Sequence, residues 1–492
     1  MTQKNTAPGP DGVPGKVLGF AFGQGPLGDR LRHIFTKCLR TNWFPSKWKR
    51  ARLILLRKGG RPADSPSAYR PICLLDEAGK LLERIIANRL VEHLSRMGPD
   101  LADCQYGFRE RRSTVDAVFR LKSLTEASVR GLAVICYADD TLVVASGEDW
   151  SRTKALAECS TNCVVGRIER LGLKVAVHKT EAMWFHGPCR GRPAGLDLSV
   201  GEARVEIGTT IKYLGLYLDP TWRFGEHFAR LAPRVRKVAN ALARIQPNLG
   251  GPKTKVRRLY GNVVHSVALY GAPLWAEAAM RAGARSSFGQ LCAAQRLAAL
   301  RVISGFRTVA TETTGVLAGM PPLALLAGMY SAKYSRRVEL LHQEGLAINT
   351  LQETLAMSKR HARRQLLFGW GQFLDEPRAA AQKVVGILRP HLEVWLEHGV
   401  GRLTYRTTQV LTGHGCFGEY LCRIGRDPTT RCYKCGAARD TPKHTVGECP
   451  RWARERQDLI VVIENNLSLE GLLRALVSRE REVWQSLLVD RF

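Results

Sequence analysis

Long apolar runs are missing from this 492-residue chain. Nowhere do eighteen or more apolar residues follow one another, so no transmembrane helix is expected. The opening residues, MTQKNTAPGPDG, lack the basic segment and apolar stretch of a secretory signal. The expectation is an intracellular protein of cytoplasm and nucleus with no membrane partner, whose thiols stay reduced. Its 13 cysteines are scattered and odd in number, which argues against a disulfide framework. Internal repeats and long low-complexity tracts are absent as well. Acidic residues are scarce: 44 Asp plus Glu stand against 74 Lys plus Arg, a net charge of +30. Such an excess repels itself in the folded state unless a polyanion is bound, and nucleic acid is the usual partner. A generic basic protein, or one that touches anionic membranes, has the same balance. With 45% hydrophobic and 24% charged residues, the composition is otherwise that of a globular chain long enough for two or three domains.

What is present falls into recognisable segments. Residues 1–15 are rich in Pro and Gly and read as an irregular lead-in that begins abruptly, as though a longer polypeptide had lost its front half. Residues 51–58 (ARLILLRK) predict a short buried strand, and residues 59–69 a loop. Asp76 is placed to cap a helix carrying Ala78, Leu81, Leu82, Ile85, Ile86 and Leu90 on one stripe, ended by Gly98-Pro99. A second helix starts near Ser113 and runs through Leu124. Residues 132–146 (LAVICYADDTLVVAS) predict two antiparallel strands joined at a tight acidic turn. Residues 150–171 have helical periodicity, while 174–185 and 205–218 read as further strands. From Phe224 onward the chain is mostly helical and basic, with Lys/Arg mixed among Tyr and Trp over 224–275 and a basic run over 359–364. Boundaries are expected near 220 and 400.

Two groups of residues carry chemistry. Tyr137-Ala138-Asp139-Asp140 sets adjacent carboxylates at a turn between apolar strands. Phosphoryl transfer by two metal ions needs hard oxygen ligands on such a rigid support. An acidic turn that merely prefers Asp for hairpin geometry is the alternative. The second group is Cys432, Cys435, His444 and Cys449, spaced C-x2-C-x8-H-x4-C. A C-x2-C turn offers two thiolates to one ion, and a later His and Cys complete a tetrahedral zinc site. His414, Cys416 and Cys422 lie close by in sequence as competing donors. Arg423, Arg426, Arg431, Lys434 and Arg439 surround the motif and suit phosphates. Tyr433 is expected as a packed core tyrosine, with stacking on a base as its other role.

Read in order, TAPGPDGV (residues 6–13), WFPSKWKRARLILLRK (43–58), YRPICLL (69–75), QYGFRERRSTVDA (105–117), YADD (137–140), LGLKVAVHKTEAMWF (171–185) and IKYLGLYL (211–218) resemble the successive motifs of the reverse transcriptases of non-LTR retrotransposons, of the R1-like and jockey-like kind. The C-terminal cysteine–histidine segment is similar to one that these elements carry after the polymerase. The resemblance implies an α+β right-hand polymerase with fingers, palm and helical thumb, then a zinc-binding tail. It implies RNA template, DNA primer and deoxynucleotides as partners, catalytic Mg2+ on Asp139 and Asp140, and structural Zn2+. Lys58, Arg70 and Arg109 match nucleotide- or template-binding positions of the fingers, and Lys179 one that assists pyrophosphate departure. A solvated surface cation is the alternative for each. A group II intron maturase shares Y-A-D-D but is not expected to end in a zinc segment.

One departure outweighs these matches. Between the Q-x-G-F-R element and Y-A-D-D the family has an acidic strand (D-[IV]-x-x-A-F-D) and a P-Q-G-x-x-x-G-P loop. Only 22 residues separate Asp116 from Asp139 here, and they hold neither pattern. Asp76, Asp116, Glu181 and Asp219 are the nearest substitute acids, and none has the flanking pattern of the lost strand. The expectation is therefore a palm truncated by an internal deletion near 118–132, inactive as written, with an unpaired hairpin edge. Domains are expected as fingers and palm over 1–220, thumb and connection over 221–400 and the zinc tail over 401–492. Nothing in the sequence resembles the nicking endonuclease that precedes the polymerase in the family. The alternative reading is a non-catalytic nucleic-acid-binding remnant.

Overall fold

In a computed structural model of the chain, the residues described are 7–58, 62–127, 131–186, 197–249, 251–282, 286–343, 348–375, 382–399, 403–463 and 466–477. They are α+β, as expected. The chain divides by compactness into Met1–Gln105 and Tyr106–Phe492, a division separate from the one by role placed near 220 and 400.

The first unit holds α1 (Gly15–Gly23), α2 (Gly25–Arg40), β1 (Ala51–Arg57), β2 (Tyr69–Leu75) and α3 (Glu77–Met97). Its core is small and aromatic: Phe35, Cys38 and Leu82 are buried, with Phe22, Phe44 and Trp48 packed around them. The stripe predicted on α3 is used only at its N-terminal end. Leu82 is buried, whereas Ile86 and Leu90 are exposed. Strand β1 corrects an expectation too. It pairs antiparallel with β2, from Ala51 opposite Leu75 to Arg57 opposite Tyr69, yet every residue of it is exposed. The run ARLILLR has leucines for two faces, but a two-stranded ribbon has no layer to bury either one.

Asp76 occupies the N-cap of α3 without capping it. Its carboxylate instead accepts the Asp11 N–H at 3.1 Å, and the Asp11 carboxylate accepts the Val13 N–H at 3.0 Å. Gly9 lies so close that a Cβ there would fall 2.5 Å from the Asp76 nitrogen. The PGPDG segment is thus a turn pinned to the start of α3.

The second unit opens with α4 (Thr114–Glu126), β3 (Gly131–Tyr137), β4 (Asp140–Ser146) and α5 (Trp150–Arg170). Then come β5 (Ala182–Met183), β6 (Asp197–Val200), β7 (Ala203–Gly208), β8 (Ile211–Tyr213) and β9 (Leu216–Leu218). The sheets are small: β3–β4, β8–β9, and a three-stranded sheet in the order β5-β7-β6. The two long strands predicted after α5 are therefore broken. In 174–185 only Ala182–Met183 pairs, after a 3-10 turn at Val177–Lys179; in 205–218 the chain turns twice. Leu214 (φ 45°) and Gly215 (φ 84°) supply the positive φ that closes the β8–β9 turn.

Asp219 shapes the entry into the helical region. Its carboxylate accepts the N–H groups of Thr221 (3.1 Å), Arg223 (3.0 Å) and Phe224 (2.5 Å), leading into α6 (Gly225–Ala243). Helices α7 (Thr254–Ala268), α8 (Ala272–Arg281), α9 (Ser287–Val302), α10 (Thr311–Ala318), α11 (Leu323–His342) and α12 (Ile348–Phe373) continue the unit. One apolar core runs through it from Ala117 to Leu476, around the fully buried Trp275, Trp370 and Trp395. The indole N–H groups of Trp275 and Trp395 are satisfied by the carbonyls of Tyr270 (3.0 Å) and Val316 (2.8 Å). Among the described residues no single helix is long and apolar enough to cross a membrane.

On the buried face of α6, His227 is 3% exposed, and burial lowers its pKa to about 4. A neutral imidazole in the fold and a titrating one in the unfolded chain mean that stability is whole above about pH 6.5 and falls as pH drops toward 4, by on the order of 3 kcal/mol. Urea unfolding from pH 7 to pH 4.5 should register this loss, and His227→Phe, seated beside Phe224 and Phe228, should remove most of that group's share of the slope.

Candidate active site and metal centre

The acidic turn is a two-residue hairpin loop: Tyr137 pairs with Asp140, leaving Ala138 and Asp139 at the tip. Ala138 has φ 58°, a conformation for which glycine is the usual choice, at a cost of about 1–2 kcal/mol for an L-residue. The neighbouring segment compensates. The Tyr106 N–H donates to the Cys136 carbonyl at 2.7 Å, and Gly107 then presses on the tip so closely that a Cβ would lie 2.2 Å from the Ala138 nitrogen. Glycine in the QYGFR segment is thus required by the backbone of the YADD turn. The residues after it turn sharply. Phe108 (φ 58°) is 91% exposed, Arg109 is half-buried, and the Arg112 guanidinium lies 4.9 Å from the Tyr106 ring centre.

Asp139 and Asp140 are both exposed at the tip. Behind them Tyr213 is buried, and burial together with the Asp140 charge raises its hydroxyl pKa. The substitute acids are engaged elsewhere. The Asp116 carboxylate closes a capping box with Ser113 (N–H at 2.6 Å) and accepts the Tyr334 hydroxyl from α11 at 2.6 Å. Glu181 accepts the Lys212 N–H at 2.8 Å, Asp219 builds the turn before α6, and Asp76 holds the first unit's lead-in. Among the described residues, the only group of three or more Cys, His, Asp or Glu side chains that converge on one point is not here.

Of the four predicted cations, Lys58 and Arg70 lie at the same end of the β1–β2 ribbon. The Lys58 N–H donates to the Ala68 carbonyl at 2.6 Å, and Arg70 stands opposite Leu56. Arg109 and Lys179 belong to the second unit, and Lys179 is exposed on its 3-10 turn with no ion pair to either aspartate. Tyr334 was invisible to sequence reasoning. It lies 218 residues from Asp116, and its ring stacks on Phe119 at 4.9 Å.

Both strands of the hairpin stay half-exposed except for Ile135, which is buried. Among the described residues β3 and β4 form a sheet of two strands only, and Leu132 is 54% exposed. Beside them opens a cavity of about 2050 Å3 lined by β4, the end of α4, Trp184 and Trp222.

The converging group is Cys432, Cys435, His444 and Cys449, whose ligand atoms all lie within 4.8 Å of one another. His414, Cys416 and Cys422 take no part: the His414 ring packs against Tyr420 at 4.9 Å, and Cys416 faces Arg406. The loop is shaped by its own backbone. Gly436 N–H donates to Cys432 O (2.8 Å), Cys432 N–H to Ala437 O (2.9 Å), and Cys449 N–H to His444 O (2.7 Å). Buried Asp440 ties it to the helix Gly418–Arg423 through the Gly418 N–H at 3.0 Å. The backbone N–H of Ala437 holds the Cys435 thiol down at about 7, while burial pushes that of Cys449 up to about 11. Three sulfurs and one imidazole are the donor set of a closed zinc site. Tyr433 is not a core residue: its ring is 73% exposed and its hydroxyl meets Asp427. No disulfide links the described cysteines.

Two outcomes are expected from this geometry. Gly107→Ala should destabilise the second unit by about 1–3 kcal/mol in urea unfolding, whereas Ala138→Gly should be neutral or stabilising. With Co2+ in place of Zn2+ the protein should show the visible absorption of a tetrahedral thiolate site. Cys435→Ser should alter the spectrum, and Cys422→Ser should leave it unchanged.

No family model matches the chain. It is 26% identical over 95% of its length to a 115 kDa protein in the type-1 retrotransposable element R1DM of Drosophila melanogaster, covering 54% of that protein. It is 25% identical over 96% of its length to the retrovirus-related Pol polyprotein from the type-1 retrotransposable element R1 of Bradysia coprophila, covering 56% of that one. The chain thus spans about half the length of these curated relatives, and the two alignments run to 570 and 582 positions, more than its own 492 residues. Over 18% of the chain it is 34% identical to the RNA-directed DNA polymerase from mobile element jockey of Drosophila melanogaster, covering 10% of that protein. Its homologues are therefore R1 and jockey proteins and RNA-directed DNA polymerases of non-LTR retrotransposons, and they cover most of the chain.

Proposed function

We propose that this chain is the polymerase part of such a reverse transcriptase, acting on an RNA template, a DNA primer and deoxynucleotides, with a palm that is catalytically silent as written. Fingers and palm occupy residues 1–220, the helical thumb and connection 221–400, and the zinc-binding tail 401–492. The observation that carries the reading is the docking of Gly107 on the Ala138 backbone. It unites QYGFR and YADD into one structural unit and brings two carboxylates to an exposed tip.

Asp139 and Asp140 are the residues that would hold Mg2+. Two-metal phosphoryl transfer needs a further carboxylate to bridge and space the ions. No third acid joins the pair among the described residues, so the donor set does not fit a complete two-metal site. The two-stranded β3–β4 sheet and relatives' alignments longer than the chain support an internal loss, which the motif spacing puts near 118–132. Arg70, Lys58, Arg109 and Lys179 keep the cationic character that nucleotide and template phosphates require. The cysteine–histidine group supports structural Zn2+ in the tail. The second reading, a nucleic-acid-binding remnant, is what remains when the chemistry is lost, and the net charge of +30 favours it for the chain as written.

Primer extension by the 492-residue chain on an RNA template with Mg2+, with Asp139→Asn as control, tests the proposal. No extension by either protein, with RNA still bound by both, is expected. Extension abolished by the substitution would show that another acid completes the site.

A further inference from the structure

Four cations lie on three helices of the second unit, two of which, α11 and α12, pack against each other. Arg258 lies on α7, Lys333 on α11, and Lys359 and Arg363 one turn apart on α12. Arg258 and Lys333 are half-buried, while Lys359 and Arg363 are exposed. Arg258 is fixed by donating to the Leu396 carbonyl at 3.2 Å, and the Lys333 ammonium lies 5.5 Å from the ring centre of Tyr330, itself 43% exposed. The nearest ion pair along α11, Arg336–Glu339 at 2.9 Å, is closed on itself, and none of the four cations has an acidic partner among the described residues. Burial and then the Arg363 charge lower the Arg258 pKa; burial and then Lys359 and Arg363 lower that of Lys333. Like charges held together with two of them recessed cost stability unless an anion sits among them.

We infer that Arg258, Lys333, Lys359 and Arg363 form a binding site for the phosphate backbone of single-stranded nucleic acid, with Tyr330 as a stacking surface for an adjacent base. Phosphate oxygens accept from guanidinium and ammonium groups alike, and an aromatic face beside a cationic groove is how strands are held without sequence preference. A membrane-binding face instead carries outward cations flanking a broad apolar stripe. Two of these cations are recessed, which suits a narrow chain of phosphates. The inference rests on the reading of the chain as a nucleic-acid protein, but it needs no polymerisation.

Its test is the salt dependence of binding of a short fluorescent single-stranded RNA to the full chain. Lys359→Gln/Arg363→Gln removes two exposed charges without touching the core, and circular dichroism verifies the fold. Affinity should fall, and the slope of log K against log salt should become shallower by about 1.4, since each phosphate contact on a single strand contributes about 0.7. Arg167→Gln/Arg204→Gln, an equal loss of charge on α5 and β7, should change the slope far less. An unchanged slope in the first variant overturns the site, as does an equal loss in the second. So does unaltered RNA binding accompanied by lost binding to phosphatidylserine vesicles. Failure of primer extension leaves this result untouched, so the two proposals fail separately.

Discussion

The contact on which the candidate site depends is between two backbones. Gly107 meets the Ala138 nitrogen at a distance that admits no side chain, while the Tyr106 N–H bonds to the Cys136 carbonyl. The hairpin tip, strained at Ala138, is thereby held by a segment about thirty residues before it. Two acids can then stand exposed at a fixed turn instead of on a floppy loop. The same segment continues into the Ser113–Asp116 capping box, which Tyr334 anchors from α11. Backbone docking, helix capping and a long-range tyrosine thus form one chain of support reaching from the helical bundle to the acidic tip.

This support persists although the sheet around it is minimal. Among the described residues β3 and β4 pair only with each other, and a large cavity lies alongside. One continuous core runs from α4 and β3 through the helical bundle. The cysteine–histidine loop is fixed by backbone hydrogen bonds and Asp440, while Phe417, Val446 and Leu472 of the C-terminal segment join the same core as the helices.

Features set by short-range rules were legible in the sequence. The start of α4 at its capping box, the Asp-Asp turn and helix α5 follow from spacing and propensity alone, and the C-x2-C spacing singled out the four residues that converge over the competing His414, Cys416 and Cys422. Features that depend on a distant partner were not. Asp76 has the sequence context of a helix cap, but its carboxylate is claimed by Asp11, 65 residues away. Tyr334 and the cation cluster join helices far apart in the chain. The exposure of β1 was illegible for the opposite reason. A strand's own pattern declares what it can bury, not whether a covering layer exists.

That exposed ribbon has a consequence for how the chain finds its pairing. In most sheets one buried face penalises a one-residue slip, because the slip turns every apolar side chain toward water. With all of β1 exposed, sliding it along β2 exchanges one wetted leucine for another. Registration therefore rests on the ends, where the Lys58 N–H meets the carbonyl of fully buried Ala68. The ribbon is aligned like a zip by its stop, not by its teeth, and a change at Ala68 would disturb alignment more than any single leucine along the strand.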